Sequence, residues 1–415
     1  MREPREAEWK RAERSSTRQP DRPNGADNAM AMRHADPTER LRAVQASNSA
    51  KVVTDALEDA SPEVVAAATR RLVELEGERA APALRARLFD VDLSLVADIA
   101  KTLRRIGDRG AVDLAIAALK DPRSTRRLAA IRVLGACGDR AAVEWLRREL
   151  RDDVAGVRAE ALDALAQLGT RPGARTSADC AQLVYDPVPQ VRVAAVRAVA
   201  RLVAHPGPLL APAVEDDDRF VRLAVAQHAA SLPEQASRAL LADADVRVRE
   251  AAVRSAGMRE LGALAVMLID DPARDVRRAA AARLGATQAG RVADLLIPGL
   301  EDRDALVRAA AVHALEALLS RDGAMRRLCA ELASGRAERR RASLYALARM
   351  QAREAASEVS RAAGDPDPEV RLALIHTAGA LFDDPGPLVR YLSEDRDQAV
   401  RDAAEGWLLR ARPAG

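Results

Sequence analysis

The side chains of this sequence that could do chemistry stand too far apart to act together. No histidine is followed by Glu; the pairs are His34-Ala, His205-Pro, His228-Ala, His313-Ala and His376-Thr. A zinc or iron site draws several donors to bonds of about 2 Å, and no local spacing here supplies such a set. Cys137, Cys180 and Cys329 form no paired spacing, which reads as reduced, packed thiols. No GxxxxGK phosphate loop occurs, and no Ser-His-Asp or Cys-His arrangement is indicated. Carboxylates are abundant, but mostly at turns and on helix surfaces. These residues assign no catalytic residue, no cofactor and no metal.

The elements that carry them are more informative. Apolar residues make up 48% of the 415 residues, yet aromatics only 2%, so the core must be built from Ala, Leu and Val. Small side chains suit helices that pack closely and suit a β-sandwich poorly. One pattern recurs: Asp, often Pro, then Val-Arg, then an Ala-rich apolar stretch closing on Leu or Gly. Clear copies are DDVAGVRAEALDALAQLG, DPVPQVRVAAVRAVARL and DPDPEVRLALIHTAGAL. The Asp positions are 59, 90, 121, 152, 186, 216, 243, 271, 302, 365 and 395, with Gly335 in the matching place of one further copy. That makes twelve copies from about residue 49 onward.

Each copy reads as two helices. The stretch before the Asp is a short amphipathic helix, as in AVDLAIAALKD. Asp and Pro end it, since Pro lacks a donor and restricts the residue before it. In the second helix, places nine, thirteen and sixteen after the Asp are mostly apolar, as at Ala161, Leu165 and Leu168. Offsets of four and three put them on one face. Gly107, Gly138 and Gly169 stand where a C-terminal cap suits glycine. A helix pair cannot bury its apolar face alone, but stacked pairs can. The expected fold is all-α: a solenoid of about twelve two-helix repeats.

At a period near 30 residues, the D-P-x-x-x-V-R core resembles the short HEAT-like repeats of phycobilin lyases. The resemblance implies a ladder in which the turn Asp and the helix Arg join neighbouring repeats. Its Arg positions are read as 127, 158, 192, 222, 249, 277, 308, 341, 371 and 401, with Val65 and Val96 replacing Arg in an N-terminal cap. Enzymes on HEAT-like repeats supply comparisons. HEAT-type hydroxylases use His-Glu pairs that are missing here. His313 and His376 share a repeat place, but two repeats put them on the order of 20 Å apart. The repeat carries no lyase residue onto this chain. A glycosylase would need aromatics together in a groove, whereas Trp145 lies on a first helix and Trp407 in the last repeat.

Helix register then points to a binding face. In HEAT-type solenoids the second helices line the concave side, and place eleven should point outward into that groove. That place holds Arg70, Lys101, Arg132, Asp163, Arg197, Gln227, Arg254, Ala282, His313, Ala346, His376 and Gly406. Its first seven copies supply five basic residues, a candidate stripe for an acidic peptide, an acidic protein surface or a phosphate backbone. Arg336, Arg339 and Arg340, crowded beside Gly335, form a second candidate. Trp407 is a third candidate, as a contact or an end cap.

Residues 1–35 are charged, rich in Pro, Ser and Gly, and aperiodic; they are expected to be a disordered tail ahead of a continuous repeat region, 36–415. Met30 and Met32, just before the regular part, would also serve as starts. The N-terminus lacks the apolar core of a secretory signal, and no run suits a membrane span, so a cytoplasmic home is expected. A net charge of +3 does not mark a general nucleic-acid binder. The reading is a non-enzymatic scaffold that binds another protein. Its alternatives are a polyanion binder, with nucleic acid as ligand, and a HEAT-type enzyme such as a lyase.

Overall fold

The structure, a computed structural model, describes residues 31–169, 174–288 and 290–411. The tail expected over residues 1–35 lies, up to residue 30, outside the described residues. Every regular element among the described residues is a helix. The chain forms two compact units, Met1–Ala204 and His205–Gly415.

In the first unit the second helices of successive copies pack in chain order: Pro62–Glu76, Leu93–Arg105, Ser124–Cys137, Ala155–Leu168 and Pro189–Leu202. Shorter first helices, such as Gly110–Ala118 and Val143–Glu149, pack against them. The local chemistry follows the sequence. Pro62 and Pro189 open helices at a position that needs no N–H donor. Gly138 and Gly169 close helices with left-handed φ of 67° and 59°. Within Ala155–Leu168, Ala161 and Leu165 are buried as their spacing requires. Small residues let the layers approach: a Cβ added to Gly135 would stand 3.0 Å from that of Ala164.

The second unit repeats this arrangement with Arg219–Ala226, Val246–Ser255, Arg274–Gly285, Ala337–Arg349, Pro368–Leu381 and Gln398–Ala411. Asp218, Asp245, Asp304 and Asp367 cap their helices by accepting backbone N–H groups of the first turn. Between two copies the connection shrinks to one residue. Ala305–Ser334 runs as two helices through Ser320, whose φ of 64° and ψ of 167° turn the chain.

The structure corrects the sequence at two places. First, the helix Pro37–Ala46 is the second helix of a further copy ahead of the twelve: Arg40 donates to Asp59 at 2.6 and 2.9 Å. Val65 and Val96 are therefore interior positions, buried at 3% and 0% exposure, and do not belong to the first copy. His34 stands where other copies have Asp, which hides this copy. Second, the register of the copy at Gly335 is one residue early. Arg340 makes the ladder bonds to Asp365, at 2.7 and 2.8 Å. Residue 334 therefore occupies the Asp place and Arg339 the place of the buried Val. Consecutive arginines, Arg339, Arg340 and Arg341, made this register ambiguous in the sequence.

An arginine ladder and a candidate interaction face

The ladder arginines that meet an acid divide the guanidinium in one way. Arg158 donates from Nη1 to the carbonyls of Asp152 and Asp153 in its own turn, at 2.8 and 3.3 Å. Its Nε and Nη2 grip the carboxylate of Asp186 in the next copy, at 2.8 and 2.9 Å. Asp186 also accepts the backbone N–H of Val188 at 2.9 Å, which fixes the turn. The same rung is built by Arg127 with Asp152, Arg222 with Asp243, Arg249 with Asp271, Arg277 with Asp302 and Arg371 with Asp395. The planar fork of arginine matches a carboxylate with two parallel bonds. Arg277 and Arg371 each keep only 3% of the side chain exposed. The guanidinium bonds of Arg40 and Arg371 hold Asp59 and Asp395 below the usual carboxylate range. This ladder is structural; its polar groups satisfy one another.

The ladder accounts for one of the candidate residues outright. Arg340 is a rung and cannot also serve as a free contact. Arg339 lies against Glu301 at 3.1 Å and Arg336 approaches the same carboxylate at 3.7 Å. Arg336 remains largely exposed, Arg339 half-buried. The crowded arginines thus divide between packing and surface.

In the first unit, Arg70 and Lys101 are exposed and line one hollow of 330 Å³ with Ala66, Ile99 and Arg105. Among the described residues the one ion pair of Lys101 is with the exposed Asp98, at 3.5 Å. Arg132 is different: it grips Glu160 through two bonds of 2.9 Å and donates to the Leu93 carbonyl at 2.7 Å. Arg197 faces Asp163 at 3.4 Å. Burial raises the Asp163 carboxyl, and the Arg197 charge acts against that rise. The expected stripe is therefore interleaved with acids, and only its start is lightly paired. In the second unit, Arg254 pairs with Glu250 at 2.6 Å. Ala346 is buried, contrary to its expected outward place. The corrected register puts Tyr345 there instead; it is 41% exposed, and its hydroxyl lies 3.4 Å from His376 Nδ1.

Other candidate chemistry is dispersed. No group of three or more His, Cys, Asp or Glu able to hold a metal ion occurs among the described residues. Burial pushes the thiols of Cys137 and Cys180 up to about 11 and about 12, so neither is a thiolate at neutral pH. Trp145 stacks under Arg148 at 4.7 Å on a first helix, as its place predicted. No helix among the described residues is long and apolar enough to cross a membrane.

With the geometry in view, comparison with known proteins is direct. A family model of HEAT repeats matches residues 94–166 and 325–408. These stretches include three of the bidentate rungs, Arg127 with Asp152, Arg340 with Asp365 and Arg371 with Asp395, and the repeat continues with the same bonds outside them. The repeats of this chain are HEAT-like repeats. No curated protein matches the chain. Among solved structures, a protein of Escherichia coli, YibA, is 19% identical, with a TM-score of 0.41 over 68% of this chain and 98% of its own. An engineered protein is 17% identical, with a TM-score of 0.34 over 92% and 97%. Importin beta is 16% identical, with a TM-score of 0.43 over 93% of this chain and 61% of its own. The HEAT-repeat solenoid as a class fits a protein-interaction role.

Proposed function

We propose that this chain is a non-enzymatic scaffold whose second-helix face in the first unit binds an acidic segment of another protein. The observation that carries this reading is the exposure of Arg70 and Lys101 above a shared hollow, on neighbouring copies. An acidic segment could set its charges on these two cations and an apolar side chain against half-buried Ala66. Charge complementarity of this kind chiefly sets association rate and specificity. The acids interleaved further along, Glu160 and Asp163, favour a protein with mixed charge over a uniform phosphate backbone.

The test is affinity capture with the intact chain and with Arg70→Glu/Lys101→Glu. The reading expects a protein retained by the native chain and lost by the variant, with unchanged helical circular dichroism. Equal retention by both would remove this face from the reading. Capture of nucleic acid alone, with a loss between 50 and 200 mM salt of about tenfold for every two phosphates contacted, would favour the polyanion alternative.

A further inference from the structure

The ladder has one interior gap where an arginine is present and its acid is not. Arg308 sits as the other ladder arginines do: Nη1 donates to the carbonyls of Asp302 and Arg303, at 2.8 and 3.2 Å. In the corrected register its partner would be residue 334, which is serine. Among the described residues no carboxylate occupies the Nε–Nη2 edge of Arg308. On either side the rungs are complete, Arg277 with Asp302 and Arg340 with Asp365. The gap is therefore not a fraying end of the repeat array.

Arg308 also lies beside space. Arg308 lines a cavity of 510 Å³ within the second unit, together with Arg341, Tyr345 and His376 from the following copies. Of the four acids in this wall, Asp302 is engaged by Arg277, Glu301 by Arg339 and Glu369 by Arg341 at 3.5 Å, while Glu338 is exposed. Tyr345 and His376 add neutral hydrogen-bonding groups, one ring set against the other. A guanidinium edge left open while Nη1 is held in place, on an arginine that lines a cavity, matches a planar carboxylate.

We propose that Arg308 is a carboxylate-binding site, in which an Asp or Glu side chain from a partner protein completes the missing rung. This rests on the scaffold reading but names a different surface, in the other unit. The probe is a peptide that copies the Asp-Pro turn of the repeat, N-acetyl-Asp-Pro-amide, with N-acetyl-Asn-Pro-amide as its uncharged control. Both are titrated into the full chain labelled with ¹⁵N-arginine, and the Nε–H signal of Arg308 is assigned by its loss in Arg308→Lys. The expected result is a saturable shift of that signal with the Asp peptide, and binding weaker by about tenfold or more with the Asn peptide, the loss of one charge-assisted interaction. Ser334→Asp places the acid inside the chain; it should abolish the response and raise the melting temperature. No saturable shift with the Asp peptide, equal response to both peptides, or an undiminished response in a folded Ser334→Asp chain would each overturn the proposal. Because the readout is one arginine signal, its failure leaves capture at Arg70 and Lys101 as a separate question.

Discussion

A ladder arginine is worth most through what it leaves behind when removed. Arg277 and Asp302 are almost wholly covered, so Arg277→Met would strand a buried carboxylate. Breaking such a pair typically costs about 3–5 kcal/mol. Native-state hydrogen exchange should show the loss centred on the helices that flank Asp302, since repeats couple mainly to their neighbours. Protonation attacks the same bonds. Asp59 and Asp395 are held below their usual range by Arg40 and Arg371, so each folded-state pKa lies below its unfolded value. Such a group contributes stability that is full above the unfolded pKa, about 3.9, and is lost as pH falls through the folded pKa. The melting temperature should therefore hold steady above about pH 5 and drop below about pH 4. A melting temperature insensitive to pH between those points and pH 2 would contradict the ladder's role. Thiol chemistry offers an independent check. Cys137 and Cys180, buried and raised to about 11 and about 12, should resist a thiol reagent at pH 8 in the folded chain and react on unfolding.

Helices here meet through alanine and glycine, and this limits what each contact tolerates. A Cβ on Gly285 would stand 2.6 Å from the Cβ of Ala314. Gly285→Ala should destabilise the second unit by about 1–3 kcal/mol, because overpacking outweighs the helix-propensity gain. Gly379, also in a helix, has nothing within 4 Å of such a Cβ, and Gly379→Ala should be neutral or stabilising. Thermal unfolding of the two variants separates the cases. Most of this layer was legible from the sequence, because a period near 30, Asp-Pro turns and glycine caps are local signals. The Arg-Asp pairing was carried by resemblance and then located atom by atom. The first copy was not legible, since His34 replaces the marker Asp although Arg40 still forms the rung. The register at residues 334–341 was not legible either: with three arginines in a row, only a neighbour's carboxylate, Asp365, selects Arg340. Arg132 shows the same limit for the candidate face. Its place in the helix was readable, but its engagement with Glu160 and the Leu93 carbonyl depends on groups 28 and 39 residues away.

At the scale of the whole chain, the polar groups divide into two populations. Ladder arginines and turn aspartates hold copy to copy and are largely covered. Arg70 and Lys101 lie outside that network, on second helices of the first unit, and Arg308 keeps one edge open in the second. A repeat array whose covered charges are used for its own stacking leaves recognition to such exceptions. The central claim is that the second-helix face near Arg70 and Lys101 contacts another protein. The most direct measurement is site-specific photo-crosslinking in cells from residues 66 and 98, which line the hollow there, with residue 113 on a first helix as the reference position. The account predicts a protein adduct from 66 and 98 that disappears in Arg70→Glu/Lys101→Glu, and none from 113. No protein adduct from either hollow position, or adducts from 113 alone, would contradict it.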